Sequence, residues 1–250
     1  MLAQRSNPPK WVTTRYHKWA AEERLQLFEK LAYFETPISP ILNAIPKMGD
    51  GIETAILGKV KNAGKSIALH VSDGGRGSVN YSRKVGYFLQ VLDFEPIVLS
   101  ADGSRRPPSE FKTIFLSTVP EARAALAGLN SSLFYWFITL LSDCRHLNKR
   151  EVEAFPIASV LLGRSEISRV DSAVKALMDG LKMQSENRTM RFRHDSLTVQ
   201  CIVPKKSWAE IQSVDAIVAN AFNLSQIEAD YIASYDIKYR LGQSGSADAG

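Results

Sequence analysis

The chain reads as an α+β protein: helices near the N-terminus, a central block of mostly antiparallel strands with basic turns, and helices again towards the C-terminus. Three observations predict this. Apolar residues recur at helical spacing within residues 19–34 and 52–61. Between about residues 66 and 117 the pattern changes to short β-rich runs separated by glycine-containing turns. From Pro120 the helical pattern returns, interrupted once by the strand-like Leu197–Val203. Strands gathered in one run, rather than alternating with helices, argue against a doubly wound parallel sheet.

Taken in order, Met1–Thr14 is expected to be an extended leader, being polar and holding two prolines in its first ten residues. Trp19–Phe34 is predicted helical, with Leu25, Phe28, Leu31 and Ala32 on one stripe, and Thr36-Pro37 and Ser39-Pro40 break it. An apolar connector, Ile38–Ile45, ends at Pro46, and Gly49-Asp50-Gly51 makes a turn. Ile52–Lys61 is a second helix, with Gly64 as its expected C-cap. Strands are expected at Ser66–Val71, Val79–Arg83, Val85–Leu92 and Phe111–Ser117, with Asp73–Gly77 a flexible turn and Ala101–Pro108 a loop carrying Arg105 and Arg106.

Pro120–Gly128 is predicted helical and leads into the stretch on which the chain turns, Ala125–Ile157. There Asn130, Ser131 and Ser132 offer short acceptors for the first turn of a helix. That end also suits a phosphate. Leu133–Leu141 is apolar everywhere but Thr139, so this helix is expected to be buried all round, with Trp136 and Phe137 in the core. A polar, mostly basic exit follows (Asp143, Arg145, His146, Asn148, Lys149, Arg150), then a short helix Glu151–Phe155 stopped by Pro156. Leu161–Lys182 is a further helix, and Arg188, Arg191, Arg193 and His194 lie in a basic connector. Ser207–Phe222 and Ser225–Tyr235 close the pattern, with Ser207 and Glu210 spaced as a capping box. The organisation expected is a leader at 1–14, a core at 15–160, a helical region at 161–242 and a disordered tail at 243–250. No internal repeat is visible.

Bulk composition narrows the class. At 45% hydrophobic and 23% charged residues, 250 residues suffice to bury a core without staples. Two cysteines, Cys144 and Cys201, without CxxC spacing argue against a zinc site or a disulfide framework and suit a reducing cytoplasm. Nothing at the start resembles a signal peptide, and Leu133–Leu141 is too short to span a bilayer, so a cytoplasmic protein away from the membrane is expected. The net charge is +5, and the segment from Lys59 to Lys84 alone carries six basic residues against Asp73. A local excess of that size suits an anionic partner.

Sequence signatures of catalysis are missing. There is no GxGxxG, P-loop or GxSxG, and His17, His70, His146 and His194 lack metal-ligand spacing. Asp93, Glu95, Glu110 and Lys112 have the residue types of a nuclease core, though such acid and lysine pairs are common, and they define the alternative reading: a nuclease or methyltransferase with an unrecognised site. Ser6-Asn7-Pro8-Pro9-Lys10 approximates the Asn-Pro-Pro-aromatic motif that grips a flipped adenine, but Lys10 stands where the stacking ring belongs.

One resemblance gives these features a direction. Leu129-Asn130-Ser131-Ser132, Leu133-Phe134-Tyr135-Trp136, Ser142-Asp143 and Phe155-Pro156-Ile157 are similar to elements of the C-terminal DNA-recognition domain of adenine-specific DNA methyltransferases of type II restriction-modification systems. Ile45-Pro46-Lys47-Met48, Ala229-Asp230-Tyr231-Ile232 and Tyr235–Arg240 agree with it, so the resemblance covers roughly Tyr16–Gly242. The family's catalytic domain is not in this sequence. The resemblance therefore implies a reader of double-stranded DNA with no cofactor of its own, whether acting with a separate methyltransferase subunit to which S-adenosylmethionine would belong, as one part of a split gene, or as a remnant. The expected contacts are Arg76, Arg83, Lys84, Arg105, Arg106 and Lys112 on phosphates or guanine edges, with Tyr87, and Tyr81 beside it, on sugar or base. Core packing is the competing role for both tyrosines.

Overall fold

A computed structural model describes residues 2–4, 10–19, 21–29, 31–193 and 195–241. The tail 243–250, His194 and Ser6–Pro9 of the Asn-Pro-Pro segment lie outside the described residues. The α+β class holds, with helices and antiparallel strands in several small sheets.

Strands β1 (Leu2–Gln4), β2 (Lys10–Thr13) and β3 (Phe34–Thr36) form a three-stranded antiparallel sheet. The described parts of the expected leader are thus extended and paired. The helix expected over 19–34 shrinks to a 3₁₀ turn at Ala21–Gln26. Its apolar stripe finds nothing to pack on, since Leu25 and Phe28 are 94% and 81% exposed. Amphipathic helices in proteins owe most of their stability to that packing. Phe34–Thr36 instead joins β2, where the Thr13 and Thr36 hydroxyls hydrogen-bond at 2.6 Å in a buried setting.

Helix α1 (Gly51–Asn62) follows, its N-cap Asp50 accepting from the Ile52 N–H at 3.0 Å. Gly64 does not cap it but begins β4 (Gly64–Ser66). A Cβ there would collide with the Ile157 carbonyl of the partner strand, so glycine is required by close approach. The expected strand at 66–71 becomes a 3₁₀ turn at Ile67–Leu69. Next come β5 (Gly77–Ser82), β6 (Val91–Leu92), β7 (Val98–Ser100), β8 (Arg105–Arg106) and β9 (Phe111–Leu116). Most of the strand expected over 85–92 is irregular, and β7 was not anticipated.

Helices α2 (Val119–Asn130), α3 (Ser132–Leu141) and α4 (Lys149–Ala154) lead to β10 (Pro156–Ala158), which pairs with β4. Every residue of α3 is buried. Helix α5 (Arg164–Met183) then runs into a hairpin of β11 (Glu186–Arg191), where a basic connector was expected, and β12 (Ser196–Cys201), which matches the strand expected at Leu197–Val203. Helices α6 (Trp208–Ala221), α7 (Gln226–Ser234) and α8 (Ile237–Leu241) finish the described chain. The capping box forms at Ser225/Glu228 but not at Ser207/Glu210, because a 3₁₀ turn at Pro204–Ser207 enters α6 directly and leaves the Ser207 hydroxyl uninvolved.

One hydrophobic cluster unites these parts, from Met48 and Ile56 through α2 and α3 to Ile217, Phe222 and Tyr235. At its centre Phe155 meets Phe134, Phe137 and Phe222 with ring centroids 5.0, 5.2 and 5.5 Å away. Such pairs contribute about 0.5–1.5 kcal/mol each beyond burial. No single helix among the described residues is long and apolar enough to cross a membrane; α2 and α3 together have the length but bend by 68° between them.

Candidate nucleic-acid interface

The candidate surface is built on the sheet β6-β5-β9. Helix α2 covers one side of β5, so closely that a Cβ on Gly77 would collide with Ala122. The pairing of Tyr81 with Lys112 and the backbone bonds Arg83 N–H to Glu110 O and Leu147 N–H to Arg83 O bring three segments to one end of this sheet. There a cleft of about 390 Å³ opens between β5, β9, Val71–Asp73 and Leu147–Lys149. Tyr81, Ile114 and Leu147, all buried, form its floor. Tyr81 therefore packs in the core, and burial raises its phenol pKa.

Arg83, Lys112 and Lys149 stand at the rim, with Asp73 the one acid. Arg83 and Lys112 are exposed and have no ion-pair partner among the described residues, while Lys149 pairs with Glu153 at 3.4 Å across an exposed helix turn. An exposed pair of that kind is worth little, so Lys149 remains available. Lys149 was visible in the sequence only as part of the basic exit; its arrival beside Arg83 depends on the turn that folds 145–148 back along Arg83–Val85.

The other expected contacts are elsewhere. Arg76 is exposed in the turn before β5, some seven residues or roughly 20 Å along the strand from Arg83. Gly74 takes φ +81° there, and Gly75 abuts the Leu116 backbone. Lys84 lies beside the cleft, 3.8 Å from the exposed Glu110 carboxylate. Tyr87 is half-exposed at a second cleft of about 470 Å³ with Tyr16, Trp19 and Cys144, and the Lys18 ammonium sits 4.5 Å above its ring. Arg105 and Arg106 belong to a separate four-stranded sheet, β11-β12-β7-β8, and Arg106 is engaged by Asp195 at 3.2 Å.

The carboxylates of the alternative reading do not converge. Asp93 is held by Arg123 at 2.8 Å and Lys182 at 3.6 Å, against α2 and α5. Glu110 instead pairs with Lys84, just beyond the C-terminal end of β5. No group of three or more His, Cys, Asp or Glu side chains among the described residues is arranged to hold a metal ion.

Nor is the N-terminus of α3 open to a phosphate. The Ser131 hydroxyl accepts from the Phe134 N–H at 3.2 Å as a cap, and the Ser132 N–H and hydroxyl donate to the Asp215 carboxylate at 2.6 and 2.7 Å. The protein supplies its own anion there. Asn130 is no cap either: its amide donates to the Val91 and Leu126 carbonyls, tying α2 to β6.

No family model, curated protein or solved structure matches the chain.

Proposed function

We propose that the chain is a sequence-specific reader of double-stranded DNA belonging to an adenine-specific DNA methyltransferase or restriction-modification system, non-catalytic by itself and cytoplasmic. The observation that carries this reading is the cleft at the end of β5 and β9, where Arg83 and Lys112 are exposed, with no ion-pair partner among the described residues, beside Lys149 over a neutral floor. Cations on a firm sheet provide the salt-sensitive phosphate contacts that fix register, and arginine is the usual bidentate partner of guanine. The resemblance of Leu129–Trp136, Phe155–Ile157 and Tyr235–Arg240 to methyltransferase recognition domains supplies the biological setting. In that setting the methyl donor, S-adenosylmethionine, is bound by a separate catalytic subunit.

The test is selection from a randomised duplex pool by the purified chain at two salt concentrations. Affinity that falls steeply with salt and enriches one short motif is expected. Arg83→Gln and Lys112→Gln should each make the log–log salt slope shallower by about 1. Absence of duplex binding at about 50 mM salt overturns the reading. Binding of S-adenosylmethionine, or magnesium-dependent cleavage by the chain alone, would transfer support to the enzymatic alternative.

A further inference from the structure

The sheet β11-β12-β7-β8 stands apart as a wing whose strands pack chiefly against one another. Its register sorts its side chains onto two unlike faces, because directly paired residues share a face and neighbours along a strand alternate. Arg188↔Val199↔Val98↔Arg106 and Met190↔Leu197↔Ser100 define one face. Val98 and Ser100 are buried there, whereas Leu99 between them is not, so this side is covered along β7, while Arg188, Met190 and Arg106 on its outer strands stay exposed. Its two arginines are both engaged: Arg188 with Glu186 at 2.9 Å, and Arg106 with Asp195 at 3.2 Å.

The opposite face has a different chemistry. The rows Thr189↔Thr198↔Leu99↔Arg105 and Arg191↔Ser196 place hydroxyls between two arginines, and Asn187 continues the β11 side. The one carboxylate on the wing's strands, Glu186, belongs to the covered face. Arg105 and Arg191 are exposed and have no ion-pair partner among the described residues. They stand on the two outer strands, three strand spacings and two residues apart, roughly 16 Å between Cα atoms. That separation lets two long side chains straddle a major groove about 12 Å wide, with the threonine and serine hydroxyls facing the groove between them.

The wing also lies close to the cleft. Only Pro107–Glu110 separates β8 from β9, so Arg106 is at most about 18 Å from Phe111.

From this arrangement we infer that the open face of the wing is a second docking surface for duplex DNA, with Arg105 and Arg191 gripping phosphates on either side of a groove. The inference rests on the reading of the chain as a DNA reader and adds to it a site separate from the cleft. Its occupant is fixed by charge: a face whose strands carry hydroxyls, no carboxylate and two separated guanidiniums matches a regular polyanion.

Salt titrations of a fluorescent duplex with the full chain test it. The double variant Arg105→Gln/Arg191→Gln is expected to make the log–log slope shallower by about 2, and Arg188→Gln, on the opposite face and ion-paired with Glu186, to leave it unchanged. If the native chain binds duplex and the double variant keeps its slope, the wing contact is overturned while the cleft reading stands. If the wing variants lose slope but Arg83→Gln and Lys112→Gln do not, the wing is supported and the cleft falls. If the native chain binds no duplex, both fall together. Tighter, Arg105/Arg191-dependent binding to duplex RNA or to vesicles containing phosphatidylserine would overturn the choice of DNA.

Discussion

At the residue scale the most consequential group is the polar knot around the start of α3. Arg240, 4% exposed, donates to the Ser132 hydroxyl at 2.8 Å and the Tyr87 carbonyl at 3.2 Å, and its guanidinium lies 4.8 Å from the ring centroids of Tyr135 and Phe88. Removing it strands buried polar groups and opens space. Arg240→Ala is expected to cost roughly 3–5 kcal/mol, seen as a lower urea midpoint at unchanged slope. Burial raises the Asp215 pKa against the lowering effect of Ser132 and Arg240. A raised folded-state pKa means the folded chain binds more protons than the unfolded chain just above the ordinary aspartate value near 4, so this group's contribution falls as pH climbs through that range. Asp215→Asn should therefore gain on the native protein as pH rises from about 4, whatever its constant offset. A pH-independent difference in urea stability would refute that. None of this was legible in the sequence. Ser132 was readable as a capping residue, but its partners Asp215 and Arg240 are 83 and 108 positions away.

At the element scale, glycines separate tolerance from intolerance. Gly58 in α1 has open space around a would-be Cβ, so Gly58→Ala should stabilise by up to about 1 kcal/mol through helix propensity. Gly77 is wedged against α2, and Gly77→Ala should destabilise by about 1–3 kcal/mol as the helix is pushed off the sheet. Urea midpoints of the two variants should move in opposite directions; a shared direction would contradict the packing described. Elements whose own residues carry a complete signal were legible: α1 with its turn, β5, β9, and α3 with every side chain apolar or small. Elements whose existence depends on a distant partner were not. Strand β11, ENRTMR, has no apolar alternation of its own and exists because β12 gives it an edge to pair with. The stripe of residues 25–32 failed for the opposite reason, having helical periodicity and no surface to bury it on. For the candidate site the same division holds: Arg83 and Lys112 were legible as basic residues on strands, but their meeting with Lys149, and the opposite facing of Arg105 and Arg106, came from register.

At the scale of the whole molecule, the single core joining Met48 to Tyr235 implies one cooperative unfolding event across segments that the sequence divides near residue 160. Tryptophan fluorescence and far-UV circular dichroism should give coincident urea transitions, and two separated transitions would show independent units. Phe155, at the meeting of four aromatic rings, is the place to test its tension: Phe155→Ala is expected to cost about 3–5 kcal/mol. The dependence of α3 on the last described helix also sets a timetable for biosynthesis. Leaving the ribosome N-terminus first, the chain has made the whole apolar helix, which ends at Leu141, roughly 75 to 100 residues before Asp215, Asp236 and Arg240 emerge to satisfy Ser132 and Tyr135. At about 5–20 residues per second the nascent protein spends several seconds with its most hydrophobic element made and its polar partners unsynthesised. That interval is when a ribosome-associated chaperone would have most to do.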